Sequence, residues 1–364
     1  MKVGILTHYQ VHNHGAILQM HGLYSILKNL GHTPYILTYN KNFDFIDKKL
    51  SNKYNISLKS VPFYLNYLKK QGIAKTKFNM DKHKILNNFK KTNYNFIPLY
   101  PEQKELDAVC VGSDEVWSLE AGINVMMYSH TITTSLIFAY APVFGQTNIE
   151  EIKKHGCYEL IKSGLERFNY LSTRDLSSAQ TVKEFLNKEI PILCDPVLLY
   201  GYEEEQILSS NKIPDEKYLL IYAYDNRLND EKEYEKIKKY AKENNLKIVS
   251  PGFYHSWVDE NINVTPIELI NIFRNAQCVV TDTFHGSVLS ILTNKPFACF
   301  VRSSNINKIT FLLNQFNVSQ SKLDNWNNLQ NILTQNFNWS NINSLIEQER
   351  QKATGYLRKV LQNG

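Results

Sequence analysis

The chain has 364 residues, of which 43% are hydrophobic and 12% aromatic, and it carries a formal net charge of +6. This composition supports one or two buried cores and excludes a disordered or fibrous protein, and the length favours two domains of about 150 residues each. No run approaches the roughly 18 consecutive apolar residues of a membrane-spanning helix, so we expect no helix of this kind.

The first elements predict a β-α-β unit. Lys2–Thr7 is a short apolar strand, and a polar segment that ends in Gly15 follows it. Apolar residues at helical spacing from Ala16 to Leu30 predict a helix that stops at Gly31, and Tyr35–Tyr39 predicts a second strand. A strand, a helix and a strand in this order are typical of a doubly wound parallel sheet, so we assign the chain to the α/β class.

A strongly basic segment follows the second strand. Residues 48–91 contain twelve lysines and one acid, Asp81, which gives this segment a net charge of +11 and leaves −5 for the rest of the chain. Arginine occurs only seven times and never in this segment. Lysine and asparagine are abundant throughout the chain, so lysine by itself is weak evidence for a binding partner. We assign the segment to an insertion at about 41–92.

Strands and helices continue to alternate after the insertion. The predicted strands are Leu106–Val111, Leu136–Ala141, Tyr218–Tyr224, Lys247–Ser250, Cys278–Asp282 and Phe297–Val301. The predicted helices are Asp230–Asn244, a helix opened by a capping box at 265–268, His285–Leu292 and a final helix from about Ser340. The Asn-rich stretch Asn325–Asn343 is interpreted as a solvated connection.

These elements form two α/β halves joined around residues 196–215. We predict an N-terminal domain at 1–195 that carries the basic insertion, a C-terminal domain at 196–340 and a closing helix at 341–364. Open α/β sheets bind ligands at the carboxyl ends of their strands, so the loops at those ends are the candidate sites.

The clearest chemical signal follows the apolar strand Cys278–Val280. Residues 281–287 read Thr-Asp-Thr-Phe-His-Gly-Ser, where the strand turns directly into a helix. A helix N-terminus offers free N–H groups to phosphate or carboxylate, and His285 could transfer a proton to a ligand bound there. The same pattern fits a helix that Asp282 or Thr283 caps with His285 packed beside it, and the spacing alone does not decide between the two.

A second signal lies between the first strand and the first helix. Residues 12–15 read His-Asn-His-Gly, and the glycine lets the backbone approach a ligand closely. The three-glycine dinucleotide fingerprint is missing, which argues against a dinucleotide cofactor. His8, His12 and His14 lack a carboxylate or cysteine nearby in the sequence, so we expect no metal.

Charged residues follow three further apolar runs. Gly112–Glu115 comes after the strand at 106–111, and its two acids could serve as a base or cap a helix. Arg174 and Arg302 also close apolar runs, and guanidinium groups bind carboxylate and phosphate in bidentate fashion. Arg174 could instead form a structural ion pair with Asp175.

Together the motifs resemble those of the polysaccharide pyruvyl transferase family, over residues 1–315. The matching segments, in order along the chain, are Val3–Leu6 with 12–16, Gly112–Asp114 with Trp117, Tyr140–Ala141 with Phe144–Gly145, Ser172–Asp175, Asp195–Pro196, Thr281–Gly286 and Asn294–Phe297. The resemblance implies two Rossmann-like domains that face a cleft, as in the GT-B glycosyltransferases.

The resemblance also implies an activity. Members of the family transfer the enolpyruvyl group of phosphoenolpyruvate to two hydroxyls of a sugar, giving a cyclic pyruvate ketal and phosphate, and no cofactor is implied. The family's essential histidine matches His285, and an arginine of its S-x-R-E-type motif matches Arg174. Thr283 stands where some members have an arginine, so we expect Arg302 to supply a second anion-binding group. Val143 and Glu115 also depart from the usual pattern and leave the acceptor sugar open.

We therefore expect three groups of site residues. The catalytic residues are His285 and Asp114. The donor-binding residues are Arg174, Arg302, Thr283, Gly286 and Ser287. The acceptor-binding residues are His12, Asn13, His14, Gly15, Ser113 and Glu115.

Two other interpretations concern the function and the partners. The same cleft would suit a GT-B nucleotide-sugar glycosyltransferase, and the fold alone does not decide. Lysines and aromatic residues in 48–91 superficially suit nucleic acid, but the arginines avoid this segment and no nucleic-acid-binding module is recognisable, so we expect no nucleic acid. Residues 61–70 mix aromatics, leucines and lysines, so this segment is either an anionic membrane-surface contact or an ordinary solvated helix.

The cysteines indicate the compartment. They are odd in number and widely spaced, and four of them lie in apolar runs, so we expect buried free thiols and a reduced, cytosolic setting. They are Cys110, Cys157, Cys194, Cys278 and Cys299. We expect a cytoplasmic protein, with peripheral contact to the inner face of the membrane as the open alternative. Its partners would be a small-molecule donor and a saccharide or lipid-linked oligosaccharide acceptor.

Overall fold

The structure, a computed structural model, describes residues 1–39, 61–98, 105–203, 205, 212–302 and 305–362. For residues 61–71 and 121 it describes the backbone only. The first part of the predicted insertion, 41–60, therefore lies outside the described residues.

Five strands of the first half form one parallel sheet. The strands are β1 Lys2–Leu6, β2 Thr33–Thr38, β3 Phe96–Pro98, β4 Ala108–Val111 and β5 Leu136–Ala139, and their order is β3-β2-β1-β4-β5. The helices of this half are α1 His14–Asn29, α2 Val61–Asn93, α3 Ile149–Lys154, α4 Tyr158–Leu165 and α5 Leu176–Leu186. The helix α2 is interrupted at Gly72, whose φ of 76° lies in the left-handed region that glycine tolerates.

The second half begins with α6 Pro196–Tyr200 and forms another parallel sheet. Its strands are β6 Tyr218–Tyr222, β7 Lys247–Pro251, β8 Glu260–Ile262, β9 Cys278–Thr281 and β10 Phe297–Cys299, in the order β10-β9-β6-β7-β8. Its other helices are α7 Glu231–Glu243, α8 Pro266–Asn275, α9 Phe284–Leu292, α10 Ile306–Gln315, α11 Leu329–Thr334 and α12 Trp339–Gln362.

The two sheets repeat one topology. In each, the first strand is central, the next two lie on one side of it and the last two on the other. The strand order therefore reverses between β1 and β4 and again between β6 and β9. Crevices at such reversals are where open α/β sheets bind ligands.

The sequence explains these elements locally. Strands β4, β5, β6 and β9 are buried along their whole length, and parallel strands covered on both faces are expected to be unbroken apolar runs. The helix α8 begins with the predicted capping box, in which Thr265 and Glu268 satisfy each other's backbone N–H groups. The side chain of Asn13 accepts a hydrogen bond from the Ala16 N–H and so starts α1.

Two helices of the second half, α6 and α12, pack on the first half. The helix α6, where the predicted C-terminal domain begins, lies against α1, and α12 lies against α6. The Arg350 Nε donates to the Leu198 carbonyl at 2.7 Å, and the Tyr356 hydroxyl donates to the Ala139 carbonyl of β5 at 2.9 Å. The apolar side chains of α1, α6 and α12 belong to one cluster of buried residues that includes strands of both sheets. Two smaller clusters lie on the opposite faces of the two sheets, one on each.

Three further predictions from the sequence can be compared with the structure. The solvated connection expected at Asn325–Asn343 is wrong in part, because α11 lies within it and buries Leu329 and Leu333 at helical spacing. All five cysteines are buried, including the four whose burial the sequence predicts, and none forms a disulfide within the described residues. None of the described helices is long and apolar enough to cross a membrane.

Candidate active site

Both reversals of strand order open onto one cavity between the two sheets. Its volume is about 420 Å³. The residues that line it include His8, Val11 and Asn13 after β1, Asp114 and Glu115 after β4, Tyr224 and Arg227 after β6, Thr283 and His285 after β9, and Arg174, Asn305 and Lys308. The carboxyl ends of the central strands of both sheets thus meet at one cleft, as the sequence predicts.

The helix α9 brings His285 to this cleft. Thr283 is the N-cap, and its hydroxyl accepts a hydrogen bond from the Gly286 N–H at 2.9 Å. Thr283 therefore caps the helix, as one interpretation of the 281–287 motif predicts, and His285 also lines the cavity. The first amide groups of the helix have no partners within it, so the site combines N–H donors with an imidazole.

Gly15 explains how His285 fits against the first half. A Cβ atom at Gly15 would lie 2.3 Å from Cγ and Nδ1 of the His285 ring. No side chain fits that space, so glycine is required for the imidazole to lie against the start of α1.

Asp195 connects the functional groups behind the cavity. Its Oδ2 accepts hydrogen bonds from Arg174 at 2.7 Å and from the Gln19 amide at 2.5 Å, and it lies 3.9 Å from Nε2 of His285. Its Oδ1 accepts from the Val197 N–H and starts α6. One buried carboxylate therefore fixes an arginine, orients a helix and faces the imidazole.

The ion pair of Arg174 with Asp195 is buried, at 5% and 1% side-chain exposure. Arg174 does not pair with its neighbour Asp175, which instead caps α5 through the Ser178 N–H. The guanidinium lies 4.1 Å from the ring centroid of Phe284 in α9. A charge-assisted hydrogen bond and a ring face thus hold this group in one orientation at the cavity wall.

Burial also controls the protonation of His285. It lowers the pKa of the imidazole below its usual 6.5, while the negative charges of Asp195 and Asp114 act in the opposite direction. The buried Nε2 has no hydrogen-bond partner among the described residues. A neutral ring can accept a proton near pH 7 and return it to a neighbouring atom.

Asp114 lies on the side of the cleft formed by β4. Its φ is 85°, in the left-handed region that aspartate tolerates better than most residues, and its Oδ1 accepts from the Glu115 N–H at 2.9 Å. Burial raises the pKa of this carboxyl, but the positive charge of Arg174, together with the charges of His8 and His285 when these rings are protonated, more than compensates and holds the pKa below its usual value. Asp114 is therefore ionised at neutral pH.

One ion pair crosses the cleft. The Glu115 carboxylate accepts from the Lys308 ammonium in α10 at 2.5 Å, and both side chains are partly exposed. Asn13 reaches across as well, and its Nδ2 lies 3.5 Å from the Tyr224 hydroxyl.

Arg302 lies away from the cavity that the described residues form. Its Nε donates at 2.7 Å to the fully buried carboxylate of Asp282. Arg227 approaches the same carboxylate at 3.5 Å, but this arginine also lines the cavity and stacks on the Tyr224 ring at 4.8 Å. The arginine that follows β6, and not the one that follows β10, therefore faces the site.

Besides Arg302 and Gly15, five of the predicted residues do not line the cavity. His14 is buried, with Nε2 at 2.8 Å from the Val264 carbonyl of the second half, and burial lowers its pKa to about 4. His12 bonds Asn87 at 3.0 Å and stacks on His83, both in α2, and burial lowers its pKa to about 4 as well.

The other three support the loops from behind. The Ser113 hydroxyl donates to the Ala141 carbonyl at 3.1 Å, and the Ser287 hydroxyl lies 3.2 Å from Cys299 Sγ. A Cβ atom at Gly286 would lie 2.0 Å from the Thr281 hydroxyl, so only glycine fits.

Sequence reasoning missed several residues of the site. Asp195 appeared only as part of a matching motif, and Gln19, His8, Arg227 and Lys308 were given no role. Arg227 had a usable signal, because it is one of seven arginines and follows a predicted strand. Gln19 and Lys308 lie within helices, where nothing local distinguishes them. Among the described residues, no three His, Cys, Asp or Glu side chains are grouped as metal ligands.

The structure changes the interpretation of the basic segment. Three lysines of α2 bond other parts of the chain: Lys75 pairs with Asp225 at 3.1 Å, Lys82 donates to the Gly252 carbonyl at 3.0 Å, and Lys90 donates to the Tyr9 carbonyl at 3.1 Å. The residues that face solvent on this helix include Ile73, Lys77, Met80, Lys84 and Lys91. Part of the positive charge therefore attaches α2 to both halves of the protein.

Structural comparison finds the same fold in an epimerase and in a glycosyltransferase. The UDP-GlcNAc 2-epimerase of Methanocaldococcus jannaschii aligns with a TM-score of 0.53 at 14% identity, and the alignment covers 100% of both chains. Spinosyn rhamnosyltransferase SpnG aligns with a TM-score of 0.50 at 10% identity, also over 100% of both chains. At these identities the likeness concerns the fold alone, and it identifies two Rossmann-like domains of the GT-B type.

Sequence comparison identifies the family. Comparison with curated protein sequences finds no match. The family model of polysaccharide pyruvyl transferases matches residues 13–304, which include every residue of the cavity wall except His8, Val11, Asn305 and Lys308. The chain therefore belongs to the polysaccharide pyruvyl transferase family.

Proposed function

We propose that this protein transfers the enolpyruvyl group of phosphoenolpyruvate to two hydroxyls of a sugar, giving a pyruvate ketal and phosphate. The acceptor would be a sugar of a bacterial surface polysaccharide or of its lipid-linked precursor. The observation that carries the proposal is the buried pair of Arg174 with Asp195, which lies beside His285 at the wall of the cleft.

The donor is a small molecule with a carboxylate and a phosphate, and the cleft suits two such groups. Arg174 is fixed by Asp195 and needs little reorganisation to bind an anion. The N-terminus of α9 adds N–H donors and a partial positive charge. The donor would therefore bind between Arg174 and the start of α9, next to the imidazole.

His285 is placed to handle the protons of the reaction. One sugar oxygen bonds to the central carbon of the donor as the methylene carbon gains a proton and becomes a methyl group. A second sugar oxygen then bonds to the same carbon as the bond to the phosphate oxygen breaks. The two hydroxyl protons end on the methyl group and on the released phosphate. A neutral imidazole can accept the first proton and deliver it, a role that contributes about 100- to 10,000-fold in rate.

The first half would bind the acceptor. Asp114 and Asn13 line the cleft opposite α9, and an ionised carboxylate at Asp114 can accept a hydrogen bond from a sugar hydroxyl. Glu115 lies at the same wall. Gly15 and Ser113 would act by holding His285 and the β4 loop in place.

The experiment is a reaction of the full chain with phosphoenolpyruvate and a panel of aryl-glycoside or lipid-linked acceptors. We expect phosphate release that depends on the acceptor, and an acceptor product that mass spectrometry identifies as a pyruvate ketal. Substitution of Arg174 by Gln should raise the KM for phosphoenolpyruvate while the protein remains folded. A near wild-type KM for phosphoenolpyruvate in folded Arg174→Gln would contradict the role of Arg174, and near wild-type turnover in folded His285→Ala would contradict the role of His285.

The alternative is a nucleotide-sugar glycosyltransferase with the same fold. Thermal unfolding distinguishes the two, because a ligand that binds only the folded state raises the unfolding temperature. Stabilisation by uridine or guanosine diphosphate sugars, without an effect of phosphoenolpyruvate, would support the glycosyltransferase and overturn the proposed pyruvyl transferase activity.

We also propose that the exposed face of α2 contacts an anionic membrane surface. Ile73 is 89% exposed and Met80 57%, and Lys77 and Lys84 lie on the same side of the helix because the four residues follow helical spacing. Each lysine near an anionic leaflet contributes about 1 kcal/mol.

Co-sedimentation with phosphatidylcholine vesicles, with and without phosphatidylglycerol, tests the membrane contact. Binding should require the anionic lipid and weaken in Lys77→Glu/Lys84→Glu, but not in the matched Lys154→Glu/Lys359→Glu variant. Equal behaviour of the two variants would contradict a contact through α2.

A further inference from the structure

Two cations of the cleft have no role in the chemistry described above. Arg227 follows β6, and Lys308 lies in the first turn of α10, and both line the cavity. They belong to the second half of the protein, whereas Arg174 belongs to the first. The cleft thus places guanidinium groups from both halves around one volume.

The surroundings of the two cations differ. Lys308 is already paired at 2.5 Å with Glu115, so a carboxylate of the protein neutralises it. Among the described residues, Arg227 pairs with Asp282 at 3.5 Å, and that carboxylate is bonded more closely by Arg302 at 2.7 Å. Two guanidinium groups therefore share one negative charge, and Arg227 is the less tightly bound of the two.

The orientation of Arg227 also favours a ligand. Its backbone N–H donates to the Tyr224 carbonyl at 2.8 Å, which closes a turn, and its guanidinium stacks on the Tyr224 ring. A guanidinium has five N–H donors, and the single contact with Asp282 leaves most of them for other acceptors. Its side chain is 25% exposed, which lets it reach into the cavity.

We propose that Arg227 binds the phosphate of the donor, while Arg174 binds the carboxylate. This inference rests on the proposed function, because it assigns the second anionic group of phosphoenolpyruvate. Arg227 and the N-terminus of α9 lie on the same side of the cleft, so the phosphate would receive a bidentate guanidinium and helix N–H groups together. Arg302, which the sequence suggested for this role, instead balances the buried charge of Asp282.

The experiment compares two arginines that contact the same carboxylate. Binding of phosphoenolpyruvate to the full chain is measured by titration calorimetry for the wild type, Arg227→Gln and Arg302→Gln. We expect Arg227→Gln to bind about 10- to 100-fold more weakly, as for the loss of a charge-assisted hydrogen bond. Arg302→Gln should stay within about threefold of the wild type, and Arg227→Lys should be intermediate because it keeps the charge without the bidentate geometry.

A second measurement assigns the phosphate. Inorganic phosphate should compete with phosphoenolpyruvate in the wild type, and Arg227→Gln should weaken this competition. Competition by pyruvate, which has the carboxylate alone, should be unchanged in that variant.

Each result supports or overturns the inference. Equal binding by folded Arg227→Gln and wild type, or an equal loss in both glutamine variants, would overturn the role of Arg227 and leave the proposed function intact. Weakened competition by pyruvate instead of phosphate would overturn the assignment of the phosphate. A wild-type protein that binds no phosphoenolpyruvate would overturn the proposed function and this inference together.

Discussion

The two sides of the cleft hold their arginines in different ways. Arg174 on the first half is almost fully buried, hydrogen-bonded to Asp195 and stacked on Phe284. Arg227 on the second half is partly exposed and shares Asp282 with a second arginine. The first group is fixed before any ligand arrives, and the second can adjust to it.

This difference indicates which interactions the protein fixes before binding. Burying an ion pair costs desolvation free energy, which the attraction between the charges only partly offsets. The pair of Arg174 with Asp195 is therefore weak evidence for stability, but it keeps a cation oriented next to His285. The largest effects on the reaction should come from the first half and from His285, and smaller ones from the second half.

The largest effect is expected for His285→Ala. Turnover should fall about 100- to 10,000-fold, because the proposed proton transfers lose their acid and base. Steady-state kinetics checks this value, and circular dichroism checks the fold. His83→Ala, which removes an exposed histidine on α2, is the control and should leave turnover within about twofold of the wild type. Comparable rates for the two variants would contradict the role of His285.

Asp195→Ala tests the buried ion pair of the first half through its effect on protein stability. The change leaves Arg174 buried without its partner, so the free energy of unfolding should fall by about 3–5 kcal/mol. Urea denaturation measures the change. Asp81→Ala removes one member of an exposed pair with Lys84, 3.9 Å apart, and should change stability by about 0.5 kcal/mol or less. Similar values for the two substitutions would remove the contrast between buried and exposed pairs.

Gly15→Ala tests the packing of His285 without a change in charge. The new methyl group would overlap the imidazole, so the ring must move, and a displacement of about 1 Å can lower the rate about 100-fold. Gly355→Ala in α12 is the matched control. No atom lies within 4 Å of a Cβ placed there, so alanine should stabilise the helix by up to about 1 kcal/mol and leave the rate unchanged. A fully active Gly15→Ala variant would show that the close approach is unimportant.

The smallest effect is a shift in the titration of His285, which NMR can follow. Burial lowers the pKa of the folded imidazole below 6.5, so its contribution to stability is unimpaired above that pH and is lost as the pH falls. Asp195 is the largest influence in the opposite direction. Asp195→Asn should therefore lower the pKa further. An upward shift would mean that the carboxylate does not act on the ring.

The strand ends of the site were predictable, because in a parallel sheet residues after the central strands must share one edge. The regions around Asp114, Arg174 and His285 could thus be selected from sequence. The pairing of Arg174 with Asp195 could not, since the two residues are 21 positions apart and Asp175 is an equally good partner locally.

The choice between Arg227 and Arg302 was not predictable either. Both follow strands, and only the direction of each loop decides which side chain turns toward the cleft. The role of the lysines in α2 also depends on tertiary contacts. The sequence shows that these side chains are charged, but it does not show which carbonyl or carboxylate each ammonium group contacts.

These lysines have a consequence for the movement of the two halves. Lys90 bonds the loop after β1, whereas Lys75 and Lys82 bond loops of the second sheet, so α2 connects the two halves. A rotation that widens the cleft for a saccharide must either break contacts on one side of α2 or carry the helix along with the other side. In either case, ammonium contacts between α2 and one of the halves would have to break before the halves could separate.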